Sequence, residues 1–441
     1  MKIAWFSPFS RRSAIGQYSS IIVQELARYA DVTVFAAELT GPSEAWLPNF
    51  NLYYLKTTPI ALVLRKLQEY DVLVYNLGNN TEFHARIYDV FQQRPGVVIL
   101  HDVVMMHFFA GYYWQHRQNI PGFVREMTFS HGDKGAELAQ KVVDQDLPSD
   151  FWSSPVLLEY NLVKSTLNGA YGVVVHSEFA RKTIEPISTA PMTKIDFPTP
   201  NVAQYNSSAA AAESGGRIRL LSHGHVIPNK MIAEVIEVIG QSQILRDRVV
   251  YHVIGAPHKD YLPRLEQLIE QYQLHETVRL LGYQPDEILY DYMKQADILI
   301  TLRNPHMGES SWVLLEATTI GKPTVVWKHG YYDEFPDDTV AKVDSTARLA
   351  SVLETLCLDD TARSTLGIHA QQYAAQTFDT QQYCRRLLDF LQTCRYNNLV
   401  LSLADSVSDF LLELGTGYFG SENLVDRMGT EIGMLFPTSC R

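Results

Sequence analysis

The chain holds 441 residues, a length that favours two or three domains over one at about 100–200 residues per domain. Hydrophobic residues make up 46% and charged residues 20%, a globular balance that excludes global disorder and fibrous repeats. Lys and Arg total 37 against 49 Asp and Glu; the resulting charge of −12 argues against a binder that tracks nucleic-acid phosphates, while leaving room for a local basic site for an anionic small molecule.

Short β-branched runs recur at 2–7, 31–36, 72–76, 97–100 and 172–176, separated by lengths that hold a helix. Between the first two, Ile15, Tyr18, Ile22, Leu26 and Tyr29 repeat at three and four residues, predicting an amphipathic helix. The same grammar returns at 218–222, 249–255, 278–281, 296–302 and 323–327. The expected fold is therefore α/β, with two Rossmann-like, doubly wound parallel-sheet domains facing a cleft.

The stretch from Thr189 to Gly216 carries Pro191, Pro198 and Pro200 and then a tract of Ser, Ala and Gly, a composition that reads as an interdomain linker. The expected division is a first domain over 1–200, a linker over 201–216, a second domain over 217–392 and a helical tail over 393–441 that could pack anywhere along the outside.

The four cysteines, Cys357, Cys384, Cys394 and Cys440, form no zinc-ligand spacing, which predicts a reduced, cytosolic chain without disulfides. The N-terminus lacks the features of a signal peptide. The longest apolar region, 97–113, is interrupted by His101, Asp102 and His107, short of the roughly 20 apolar residues of a membrane helix. A soluble protein is expected, with peripheral association at the inner face of a membrane left open.

The segment 301–326 is the most informative: a strand end, a polar loop with Pro305 and Gly308, a helix opening near Glu309 to Ser311, and a stop at Gly321. A helix start fed by a glycine loop suits a diphosphate. Glu309 and Glu316 are seven residues apart, about 700° around a helix and so nearly on one face. They read either as two carboxylates that bind sugar hydroxyls or as a first-turn acid and a solvated surface acid. In a second segment, 220–239, Lys230 stands at a helix start against the dipole, as a phosphate ligand or as an exposed loop lysine. His225 lies five residues before it. In the first half, His101 and Asp102 close a buried strand at its carboxyl tip, the edge where such sheets bind ligands.

The segment 301–326 resembles the donor-binding motif of glycosyltransferase family 4, retaining enzymes of the GT-B fold. There a glutamate, a spacer and Leu-Leu-Glu-Ala precede a Gly-x-Pro turn and a Val-Val strand. Gly308 occupies the place of the usual first glutamate, and Gly308-Glu309-Ser310-Ser311 resembles a Gly-Glu-Thr-Ser variant of one branch. The resemblance implies Glu316 as acceptor of the donor ribose diol. It implies Gly308, Glu309, Ser310 and Ser311 with Arg303 as donor-binding residues, and Lys230 and His225 in the places of a lysine and arginine that neutralise the leaving diphosphate. It makes His101 the histidine approaching the donor hexose, so that His101, Lys230 and Glu309 would carry catalysis. Gly16 is what remains of a two-glycine phosphate loop, and base recognition would fall near Gly282 and Tyr283. Asn79, Asn80 and Asp102 would face the acceptor; Arg11, set on the acceptor side, and Arg12 read either as partners of an anionic donor or acceptor or as solvated residues; and the segment from His176 to Glu178 would form cleft wall. Acceptor choice would reside in 112–168 and the tail.

The implied activity is transfer of a hexose from a UDP- or GDP-sugar to a glycan, lipid-linked or small-molecule acceptor, with retention and without a cofactor or metal. A GT-B sugar-nucleotide epimerase and a nucleotide-sugar-binding scaffold with a weakened donor site are the alternatives. Nucleic acid is not an expected partner.

Overall fold

The computed structural model describes residues 1–10, 13–38, 47, 49–148, 150–198 and 216–395. Arg11, Arg12, Cys440, nearly all of the expected linker and the tail beyond 395 lie outside the described residues.

Two parallel sheets form the frame. The first contains β1 (Lys2–Ser7), β2 (Asp31–Ala36), β3 (Leu52–Tyr54), β4 (Val72–Leu77), β5 (Val97–Leu100), β6 (Gly172–Val175) and β7 (Met192–Lys194) in the order β3-β2-β1-β4-β5-β6-β7. Ile3, Ala4, Trp5 and Phe6 are all fully buried, as expected of a central strand covered on both faces. The second sheet contains β8 (Ile218–His223), β9 (Val249–Ile254), β10 (Val278–Leu280), β11 (Ile298–Thr301), β12 (Thr324–Trp327) and β13 (Ala341–Val343) in the order β10-β9-β8-β11-β12-β13. The expected fold is thus found. The ten predicted strands are present, and β3, β7 and β13 are additional edge strands of three residues each.

Strand order reverses between β1 and β4 and again between β8 and β11. Crevices open outside the carboxyl ends at such points. Helix α1 (Ala14–Leu26) follows β1 with Tyr18, Ile22 and Leu26 buried, and Ser13 caps it by accepting from the Gly16 amide. Tyr29, expected on the same stripe, lies beyond the helix and is 47% exposed. Helix α2 (Thr81–Phe91) follows β4, α3 (Glu178–Ile184) follows β6, α4 (Ile232–Gln241) follows β8, and α5 (Trp312–Thr319) follows β11.

The expected boundary at 392 is corrected. The helix over 380–395 packs on the first sheet, not the second. Leu387, Leu391 and Cys394 join Ile3, Trp5 and Ile22 in one core, Tyr383 Oη lies 2.5 Å from Tyr18 Oη, and Arg395 pairs with Asp71 at 2.7 Å. The C-terminal helix therefore ties the second half of the chain back to the first domain.

Candidate functional site

A cleft of about 690 Å³ lies at the carboxyl ends of both sheets. It brings together Asn79, Asn80, His101 and Asp102 from the first domain with His225, Arg303, Glu309 and Ser310 from the second.

His101 follows β5 and is 9% exposed. Its Nε2 is 3.0 Å from Asn76 Oδ1, while Asn76 Nδ2 donates to Phe6 O at 3.0 Å. Because Oδ1 accepts, Nε2 carries the His101 proton and Nδ1 is a bare acceptor. That Nδ1 is buried and unpartnered. Burial, with His176 and His84 nearby, holds the imidazole well below its ordinary pKa, so it stays neutral. Tyr18 and His176 pack on the ring at centroid distances of 5.1 and 5.3 Å and fix its orientation.

Asp102 accepts from the Asn79 amide at 2.9 Å, and burial raises its carboxyl to about 6. Gly78 allows this approach, since a Cβ there would lie 3.0 Å from Asp102 Oδ2. Asn80 is committed to local structure, capping α2 through the Glu82 amide at 2.9 Å. Gly16 packs against the loop backbone, where a Cβ would sit 3.0 Å from Ser10 O. Ser13, Ala14 and Ile15 line the cleft in that region.

In the second domain, β8 ends at His223 and Gly224 turns the chain at φ +100°, placing the exposed His225 on the cleft. Lys230 ends a 3₁₀ turn (Pro228–Lys230), two residues ahead of α4. It is half-buried, and its ammonium has no hydrogen bond or ion pair with a described residue. Burial, then the like charge of Arg303, pushes it down to about 7 against the pull of Glu309. It lines a small cavity beside the main cleft with His223 and Thr301, whose Nε2 and Oγ1 are buried without partners.

The helix opens at the far end of the predicted span, Glu309 to Ser311. Ser311 is the N-cap, its Oγ accepting from the Leu314 amide at 3.2 Å, and α5 begins at Trp312. Glu309 therefore lies in the preceding loop, and the argument placing it on one helix face with Glu316 fails. Its carboxylate pairs with Arg303 and accepts from the Met307 amide at 2.6 Å. Despite burial, Arg303 holds it below the ordinary carboxylate range.

Glu316 is no solvated acid: it is 5% exposed. Its Oε1 accepts from Tyr290 Oη at 2.5 Å and from Trp312 Nε1 at 3.1 Å, while Oε2 faces His223 Nε2 at 3.9 Å. Burial raises the carboxyl to about 7 and drops His223 to about 3, so the contact joins a carboxyl and a neutral imidazole. Gly308 does not line the cleft. Its φ is +77°, and a Cβ would lie 1.9 Å from Val103 Cγ2 of the first domain. Bare backbone is needed there for the two domains to meet. Tyr283 is 71% exposed and Gly282 has open space around it.

Sequence reasoning missed the partners that set the state of the predicted residues: Asn76, Tyr290, Trp312 and His223. Trp312 was within reach, being four residues before Glu316 on one helix. Tyr290 sits on a different helix and carries no local signal. Glu334 was also missed; its two carboxylate oxygens cap α3 across the domains, each 2.8 Å from the amides of Glu178 and Phe179. The expected wall from His176 to Glu178 does not line the cleft: His176 is 2% exposed with Nδ1 on Ile195 O, and Ser177 caps α3.

Among the described residues, no group of three or more His, Cys, Asp or Glu is placed to hold a metal ion, and no helix is long and apolar enough to cross a membrane.

Residues 205–372 match the family model described as Glycosyl transferases group 1. The chain is 26% identical over 188 residues to WcaL of Salmonella typhimurium, named as a colanic acid biosynthesis glycosyltransferase; the match covers 41% of this chain and about half, 46%, of that relative. The fold is shared with Anabaena HepE, solved in complex with UDP, at 17% identity and a TM-score of 0.61, over 89% of this chain and 100% of that one. It is also shared with sucrose-phosphate synthase from Thermosynechococcus elongatus, at 15% identity and a TM-score of 0.60, over 89% and 98% of the two chains. The architecture is GT-B, as the sequence predicts.

Proposed function

We propose that the chain is a retaining glycosyltransferase that moves a hexose from a UDP- or GDP-sugar to a glycan, lipid-linked or small-molecule acceptor, without a metal or cofactor, in the cytoplasm. The observation that carries this reading is the cleft itself. It gathers His101, with its bare acceptor atom, from the first domain and the Arg303–Glu309 pair from the second, while Lys230 lines the small cavity beside it. The group 1 match over 205–372 and the UDP held by the HepE fold support a nucleoside diphosphate as the occupant.

In glycosyl transfer, positive charge develops at the anomeric carbon and negative charge on the leaving diphosphate, so stabilising the leaving group is the main electrostatic requirement. Lys230, Arg303 and His225 meet the diphosphate, and Ser310 stands beside them on the cleft wall. Glu316 Oε2, whose companion oxygen holds both internal hydrogen bonds, accepts the ribose diol. His101 Nδ1 accepts a hydroxyl of the hexose, and Glu309 helps to position that ring. Asp102 and Asn79 face the acceptor.

Calorimetry and thermal shift with UDP, GDP and their sugars test the reading, because a ligand of the native state alone raises the melting temperature. Binding of one nucleotide, with transfer or slow donor hydrolysis lost in Lys230→Ala at an unchanged fold, is the expected result. Tight nucleotide binding with neither reaction points to a scaffold. Sugar interconversion without an acceptor points to an epimerase.

A further inference from the structure

The connection from β5 to β6 runs from 101 to 171 and carries a 3₁₀ turn, Phe151–Ser153, onto the rim of the cleft. Trp152 in that turn is 39% exposed and is the one exposed tryptophan among the described residues. An exposed indole forgoes the burial that this side chain ordinarily gains, so its retention on a cleft rim points to a ligand.

The ring is held in place. His107 Nε2 donates to the Trp152 carbonyl at 2.9 Å, and the buried Phe151 anchors the turn from below. His107 and Phe151 touch the indole at centroid distances of 5.6 and 5.3 Å, with interplanar angles of 49° and 79°. No described ring lies flat on the indole, so its face is not taken up by internal aromatic stacking. Around it the lining is largely apolar: Ser153 and Asn79 add polar groups from the first domain, whose described lining residues carry the Asp102 carboxyl and no lysine or arginine. His107 is held neutral by burial. A fixed aromatic face flanked by hydrogen-bonding groups and no cation fits a ligand with an apolar C–H face and an equatorial rim of hydroxyls.

We infer that Trp152 is the stacking floor of an acceptor subsite for a neutral pyranose ring, with Asn79 and Ser153 meeting its hydroxyls, and that the acceptor is a saccharide. This rests on the donor-and-acceptor reading above and narrows its acceptor to one chemical class.

The test uses the full chain labelled with 5-fluorotryptophan, the Trp152 resonance being identified by its loss in Trp152→Phe. Methyl glucoside, methyl galactoside, N-acetylglucosamine and maltose are titrated with and without UDP, beside an alkyl phosphate. The expected result is that at least one saccharide shifts the Trp152 resonance saturably. Trp152→Ala should weaken that saccharide about tenfold, Trp152→Phe should retain most of its affinity, and the nucleotide-induced thermal shift should be equal in all three proteins. A Trp152 resonance unmoved by every saccharide, saccharide affinity unchanged in Trp152→Ala, or a response to the alkyl phosphate alone overturns the inference while leaving nucleotide binding intact. Absence of any nucleotide-induced shift in the unsubstituted protein overturns the donor reading instead, and the titration without UDP then judges the saccharide subsite on its own.

Discussion

The guanidinium of Arg303, at the end of β11, is paired with the carboxylate of Glu309 six residues later, inside the cleft wall. Both side chains are mostly removed from water, with 18% and 13% exposure. A diphosphate binding there competes with Glu309 for the same cation. Glu309→Gln is therefore expected to bind UDP or GDP several-fold more tightly while transferring sugar more slowly, because the freed Arg303 gains the phosphate and the hexose loses a partner. Arg303→Met has a different consequence: it strands a buried carboxylate, at a cost of about 3 kcal/mol. Chemical denaturation of the two variants, with calorimetry on the first, checks both outcomes.

Lys230 predicts a pH signature in both stability and binding. Its folded pKa of about 7 lies below the ordinary 10.5, so between these values the unfolded chain holds more protons than the native one. Stability contributed through this group therefore rises with pH across that window and is lost as pH falls toward 7. Lys230→Met should flatten this slope in pH-dependent unfolding. A bound diphosphate restores the charge, so nucleotide binding at pH 8 should take up a proton, seen as an enthalpy that depends on the buffer's ionisation heat. No buffer dependence would remove the recharging of Lys230 from the binding account.

The central strands were legible because strands buried on both faces read as continuous apolar runs, as 2–7 and 97–100 do. The missed edge strands, Leu52–Tyr54 and Met192–Lys194, are only three residues long and half-buried throughout, so they carry no such run. Within the site, His101 was legible as a polar residue at a strand end, Lys230 as a cation at a helix start, and Arg303 through the family resemblance. Their protonation and pairing were not, because these depend on side chains brought from elsewhere: Asn76 lies 25 residues from His101, and Tyr290 lies 26 from Glu316. The start of helix α5 was legible only as the span Glu309 to Ser311, because all three residues are acceptable near a helix start; only the bond from the Leu314 amide selects Ser311.

Gly308 should be intolerant of any side chain for a reason unrelated to donor chemistry. Alanine there meets Val103 Cγ2 at 1.9 Å in a left-handed conformation that L residues disfavour. Since Val103 belongs to the first domain, relief requires the domains to separate. Gly308→Ala is expected to increase the radius of gyration in solution scattering and to raise the KM for donor while each domain stays folded. Unchanged scattering would show that the loop adapts without moving the domains.

Glu316 yields the last prediction. Its carboxyl titrates near 7, raised by burial against the opposing pull of Tyr290 and Trp312, whereas the unfolded value is near 4.5. The native state thus holds more protons between these values, and the stability gained through this group, present below about pH 4.5, is lost as pH rises through 7. Donor binding runs the other way, since ribose hydroxyls donate to a carboxylate and not to its protonated form. Affinity for the nucleotide should fall as pH drops below 7. Glu316→Gln should weaken binding about tenfold at pH 8 and abolish that part of the pH dependence. Tyr290→Phe removes a bond to the charged form, worth about 1.5 kcal/mol, so it should push the carboxyl higher and move the midpoint of donor affinity to higher pH. Calorimetric titrations across pH 5.5 to 8.5 on the three proteins measure this directly. A midpoint that Tyr290→Phe leaves in place would mean that Glu316 does not govern nucleotide affinity.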